Sequence, residues 1–263
     1  MQTGQSSEAS FSCQVASTLS LELPEPKVEV LPGIAWGCAS EWFTPAFWKF
    51  QSGATRAKYT SNTYRLGRTF REEVAVCLLG GHGLPAELGL AAFDRLRDRN
   101  LLHCEVEQSQ LEEALSEPLD VGGRSRRYRF PRQKAKYLWH ALQAVEAIPD
   151  TLSPKLLRDH LTLVPGIGPK TASWVVRNHF SSDEVAILDV HILRAGATMG
   201  LFSADADPAK HYFELEDRFL EFCDAIEEPA SQLDALMWDF MRRIGPTSGS
   251  RRKHHQLELA LSQ

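Results

Sequence analysis

Lys170 is the residue with the most chemistry in its surroundings. It lies in LVPGIGPKTA, residues 163–172, where one helical pattern ends, glycines stand at 166 and 168, and Pro169 opens a new helix. The glycines permit positive φ and let another backbone approach closely. The turn and the first amides of the new helix aim free N–H groups at one spot, an anion site suited to a DNA phosphate. Ile167, between the glycines, is placed to plug the two helices together. A neutral lysine amine is a nucleophile that forms Schiff bases. Partial burial and the positive end of a helix both favour the neutral amine. Nineteen residues on, Asp189 follows three apolar residues in AILDVHILR and opens another helix. It reads either as a plain N-cap or as a carboxylate set to stabilise developing positive charge. Trp174 shares the helix face of Lys170 at i+4, and Asp234 and Trp238 form a second i, i+4 pair.

These residues sit on a helical frame. Apolar periodicity predicts helices over 68–79, 85–98, 131–148, 153–164, 170–180, 189–201, 207–226 and 229–245. Ser153 and Asp207 stand at N-cap positions, and Pro154 at a first helical position. Alternating strand patterns are scarce, so the expected class is all-α. Residues 1–30, rich in Ser, Glu and Pro, read as a flexible tail. Residues 31–66 hold an aromatic cluster (Trp36, Trp42, Phe43, Phe47, Trp48, Tyr59, Tyr64), expected to be short helix and loop packed on the body.

The segment 163–172 closely resembles the helix-hairpin-helix DNA-binding motif. Together with the lysine-to-aspartate spacing and Asp189-Val190-His191-Ile192, the chain resembles the helix-hairpin-helix DNA glycosylase superfamily over about 69–244, and most of all the compact bacterial and archaeal 8-oxoguanine DNA glycosylase/AP lyases. The resemblance implies two helical subdomains flanking a DNA-binding cleft: residues 71–184, with the helix-hairpin-helix at about 154–180, and residues 31–70 plus 185–263. It implies that Lys170 is the nucleophile and Asp189 the assisting carboxylate. It implies a pocket in which a flipped base lies between Trp174 and Trp238 while Asp234 reads its Watson–Crick edge. Gly166, Gly168, Thr171 and His191 would contact DNA, with Arg129, Arg132 and Lys134 beside the cleft. Where many relatives carry an Asn/Gln-rich turn, this chain has Gly80, Gly81, His82 and Gly83, so His82 stands as the candidate wedge and discrimination at the opposite base is open. The four-cysteine iron–sulfur loop of other branches is absent, since only Cys223 lies near that place.

Composition fits a globular protein. Of 263 residues 43% are hydrophobic and 24% charged, enough apolar content for one sizeable core or two small ones. No apolar run approaches the roughly 18 residues of a transmembrane helix. Five scattered cysteines without a CxxC pair argue against a disulfide framework or zinc site and for a reduced, intracellular setting. No metal or other cofactor is expected, and the chain reads as a monomer. The net charge of −5 hides two acid-free basic stretches, 124–136 with seven Arg or Lys and 242–255 with five plus two histidines. Such runs are either solvated faces or phosphate-contacting surfaces. Three readings stay open: a bifunctional glycosylase for 8-oxoguanine or a related modified purine in double-stranded DNA, a glycosylase of the same fold for another modified base, and a non-catalytic binding module.

Overall fold

The computed structural model describes residues 22–56, 64–81, 83–149 and 151–245. Among them are ten helices: α1 (Pro45–Thr55), α2 (Phe70–Leu79), α3 (Ala86–Asp98), α4 (Gln108–Ser116), α5 (Pro131–Val145), α6 (Pro154–Thr162), α7 (Pro169–Phe180), α8 (Val190–Thr198), α9 (Pro208–Ala225) and α10 (Ala230–Ile244). Two small antiparallel hairpins join them, β1 (Glu29–Leu31) with β2 (Ile34–Ala35) and β3 (Leu119–Val121) with β4 (Arg124–Arg126). Among these helices none is long and apolar enough to cross a membrane.

The starts of these helices follow from their sequence. Thr69 caps α2, its hydroxyl accepting the Glu72 amide, and Asp207 caps α9 through the Ala209 amide. Ser153 stands at the N-cap of α6 without a side-chain bond, and Pro154 supplies the helical φ. Helix α4 lies in an acidic stretch with no predicted helix. It has a capping box between Glu107 and Gln110 and buries only Leu111, Ala114 and Leu115, too narrow a stripe to stand out in a Glu/Gln/Ser run. The β3–β4 hairpin also departs from expectation, because three-residue strands are too short to alternate visibly.

Buried apolar side chains fall into two clusters. One runs from Val74 to Val185 and holds α2 to α7 together; the other draws on Ile34–Tyr64 and Ala186–Met241. Helix α7 stands at their boundary, pinned by three buried carboxylates from three other helices. Asn178 donates to Glu73 of α2 at 2.7 Å, Ser173 donates to Glu216 of α9 at 2.9 Å, and Arg177 pairs with Asp234 of α10 at 3.4 Å. Glu73 also accepts the amides of Leu66 and Gly67, and Glu216 also binds Arg158 and the Ala186 amide. A buried carboxylate is tolerated when its lone pairs are occupied in this way.

Candidate active site

The turn before α7 has the geometry of an anion cradle. Ile167 is buried at 3% exposure and its amide returns to Val164 at 3.0 Å, while Gly166 and Gly168 stay exposed. Gly166 adopts φ +88°, and a Cβ there would lie 2.2 Å from Cγ of Tyr137, so the tyrosine of α5 occupies the space a side chain would need. Gly168 is the N-cap of α7 and offers no side-chain cap, and Pro169 follows it. The amides of Lys170 and Thr171 are therefore first-turn donors without helical acceptors. The positive end of the helix dipole lies over the same spot.

Lys170 and Trp174 leave this turn on one face of α7, both half-buried. The Trp174 indole lies against the C-terminal end of α2: a Cβ on Gly80 would meet its Cη2 at 3.0 Å. The same end of α2 is closed by two side chains from the basic segment. Tyr128 donates its hydroxyl to the Leu79 carbonyl at 2.5 Å, and Lys134 donates to the Leu78 and Gly80 carbonyls at 2.5 and 3.1 Å. Burial pushes the Lys134 ammonium below the ordinary lysine range, and the nearby charge of Lys170 pushes it the same way. Lys134 therefore secures the Gly80 end of α2 near Lys170, its ammonium half withdrawn from solvent.

Across the site, Asp189 caps α8. Its Oδ1 accepts the amides of His191 at 2.8 Å and Ile192 at 3.1 Å; Oδ2 takes no hydrogen bond among the described residues. His191 meets Trp238 edge to face, with centroids 6.4 Å apart at 89°. The guanidinium of Arg242, one turn on from Trp238, lies 4.6 Å from the indole centroid. Burial holds His191 below the ordinary histidine range. Asp189 opposes that shift, and Arg194, Lys170 and Arg242 reinforce it. His191 thus lies in the electrostatic reach of both Lys170 and Asp189, which ties the two to one locale.

Residues 56–228 match the helix-hairpin-helix family of 8-oxoguanine DNA glycosylases. The chain belongs to this family. A 79-residue stretch is 32% identical to the 8-oxoguanine DNA glycosylase/AP lyase of Fusobacterium nucleatum, covering 28% of this chain and 36% of that protein, so the match spans about a third of the relative's length. The 8-oxoguanine DNA glycosylase of Thermotoga maritima superposes with a TM-score of 0.60 at 22% identity, over 74% of this chain and 94% of that one. The 8-oxoguanine glycosylase/lyase of Methanocaldococcus jannaschii, crystallised with a 15mer DNA containing 8-oxoguanine, superposes with a TM-score of 0.53 at 23% identity, over 74% and 88%. The fold is thus the helical glycosylase fold of the family.

Within this family frame, Lys170, Trp174, Asp189, His191 and Trp238 occupy the boundary between the two cores. Trp174 packs at the rim of one core and Trp238 at the rim of the other. Arg129 and Arg132 are exposed, and Arg129 approaches Gly83: a Cβ there would lie 3.3 Å from its Nη1. His82 lies outside the described residues.

Asp234 departs from its expected surroundings. It is 2% exposed, accepts the Ile187 amide at 3.2 Å and faces Arg177. Burial pushes its carboxyl up to about 6, against the opposing pull of Arg177 and the Ile187 amide. The side chain points into the joint between α7, α10 and the segment leading to Asp189, because its helix turns Leu233, Asp234 and Met237 together into the core. Arg177 was absent from the sequence expectations, and Arg242 entered them only as the first residue of the basic stretch 242–255. Each carried a helical signal, seven residues after Lys170 and four after Trp238.

Proposed function

We propose that this chain is a bifunctional DNA glycosylase/AP lyase of base excision repair, acting on 8-oxoguanine or a closely related oxidised purine in duplex DNA. The observation that carries the reading is that Lys170, in the first turn of α7, and Asp189, a helix cap with one carboxylate oxygen unengaged among the described residues, both lie within the electrostatic reach of His191. Family membership supports it, as do the activity named for the F. nucleatum relative and the lesion-containing DNA bound by the M. jannaschii relative.

In this reading the hairpin amides of Gly168, Lys170 and Thr171, with His191, hold phosphates, and Arg129 and Arg132 line the same face. The lesion nucleotide leaves the stack and its base rests between Trp174 and Trp238. The Lys170 amine bonds to C1′ as the C1′–N9 bond breaks and the base departs with the electron pair and a proton. Asp189 stabilises the positive charge developing on the sugar. The amine adduct opens the sugar ring to a Schiff base. Loss of a C2′ proton then expels the 3′ phosphate, and water releases the lysine. Asp234 acts as a positioning residue, fixing the Ile187 backbone two residues before Asp189, and Lys134 fixes the loop at Gly80. The partner is double-stranded DNA, the working unit is a monomer, and this chemistry runs without a cofactor.

The test is product analysis. The protein is incubated with duplexes carrying 8-oxoguanine opposite each of the four bases, and with undamaged duplex. Free 8-oxoguanine and a nicked strand from the lesion duplexes alone are expected. Duplex binding without base release or nicking would return the chain to a binding module. Release of other oxidised purines in preference to 8-oxoguanine would move the substrate within the same reading.

A further inference from the structure

The β3–β4 hairpin has no part in the chemistry above, yet it is firmly built. Gly122 and Gly123 form a two-residue turn with φ +59° and +75°, the left-handed pair that a tight hairpin requires. Asp120 accepts the Gly123 amide at 2.9 Å and so serves the turn. At one root Leu119 is buried at 1% exposure, and Arg95 of α3 donates to the carbonyls of Ala114, Glu117 and Pro118. At the other root the buried Tyr128 is fastened to Leu79. From this rigid base Arg124, Arg126 and Arg127 stand exposed, and none of them forms an ion pair among the described residues.

Unpaired like charges held close together oppose folding, so a rigid ribbon of arginines calls for a polyanion outside the chain. Arg124 and Arg126, two apart on an extended strand, project to one face about 6 to 7 Å from each other, close to the interval between neighbouring phosphates on a DNA strand. The ribbon is also continuous with the site. Its second strand runs through Tyr128 to Arg129 beside Gly83, then into α5, where Lys134 reaches Gly80 and Tyr137 lies under Gly166. We propose that the β3–β4 hairpin is a second backbone-gripping element, a finger whose Arg124, Arg126 and Arg127 contact phosphates of duplex DNA beyond those held by the helix-hairpin-helix. The inference rests on the glycosylase reading for its partner.

The test uses the full chain and the salt dependence of binding to undamaged and 8-oxoguanine duplexes. Each phosphate contact contributes about 0.9 to the slope of log affinity against log salt. The variant combining Arg124→Ala, Arg126→Ala and Arg127→Ala should lower that slope by about 2 to 3 on both duplexes. Between 50 and 200 mM salt its loss of affinity should therefore be smaller than the parent's by a factor on the order of 16 to 64. The matching triple lysine variant, which keeps the charge, should retain most of the slope. An unchanged slope in the alanine variant overturns the finger, as does a change confined to single strands. Borohydride trapping of the unsubstituted protein is read in the same samples. Intact trapping with an unchanged slope in the alanine variant overturns the finger alone; no trapping overturns the glycosylase reading on which it rests.

Discussion

Asp189 holds two amides with one oxygen, so in the proposed reaction the cap leaves the other oxygen to face the sugar. His191, next to it, reports on the site's charge. Its imidazole is below the ordinary histidine range through burial, with Asp189 pulling it up and Arg242 pushing it down. A proton NMR titration should place the His191 midpoint under the free value of about 6.5. Asp189→Asn should move it lower still, and Arg242→Ala should move it back up. A midpoint above the free value would contradict the buried arrangement. For Asp234, the folded carboxyl titrates near 6, against about 3.9 in an unfolded chain. Between those values the folded chain holds a proton that the unfolded chain has released, so stability from this group falls as pH rises across the window. Asp234→Asn should gain on the parent in urea midpoint from pH 4 to pH 7; a gain in the opposite direction contradicts the assignment. The sequence made Lys170 and Asp189 legible because turn and cap chemistry mark them locally. The direction of Asp234 was not legible, since an i, i+4 pair on an amphipathic helix does not tell which member faces the core.

Helix α7 carries Lys170 and is held by Glu73, Glu216 and Asp234 through Asn178, Ser173 and Arg177. The predicted helices around it were legible from their period and their Pro, Gly and Asp punctuation. The anchors were not, because they join α7 to residues 43 to 105 positions away in sequence. Glu216 ties Ser173 and the Ala186 amide on one oxygen and Arg158 on the other. Glu216→Gln keeps an acceptor for the first pair and should lower the single-turnover excision rate less than Glu216→Ala, which frees both. Equal effects would show that the charge opposite Arg158 matters more than the bonds to α7. Gly166→Ala meets both a left-handed φ and the Tyr137 ring. It should lower stability by about 1 to 3 kcal/mol and weaken duplex binding, read by urea unfolding and anisotropy. Unchanged binding would remove the hairpin from the interface.

The described residues form two cores, with Trp174 at the rim of one and Trp238 at the rim of the other, and the proposed base pocket lies between the two indoles. That arrangement predicts a split in activity. Base–aromatic stacking is worth about 1 to 3 kcal/mol per base, so Trp174→Ala and Trp238→Ala should each slow release of 8-oxoguanine roughly 10-fold or more. Cleavage of a preformed abasic site, which has no base to hold, should suffer much less. Parallel losses in both assays would place the indoles in the general scaffold. The aromatic segment before α2 supports this architecture from behind: Trp42, Phe43, Phe47 and Trp48 pack on Phe240, on the side of α10 away from Trp238. The gathering of Ile34–Trp48 and Tyr64 with residues 186–241 into one core depends on long-range closure that no local pattern encodes.

In the proposed reaction Lys170 bonds to the sugar. Borohydride reduction during reaction with an 8-oxoguanine duplex tests it most directly. The protein should be trapped covalently on the DNA, Lys170→Gln should abolish the adduct while still binding the duplex, and peptide mapping should find the sugar on Lys170. An adduct that survives in Lys170→Gln, or base release with no adduct in the parent, would contradict the account.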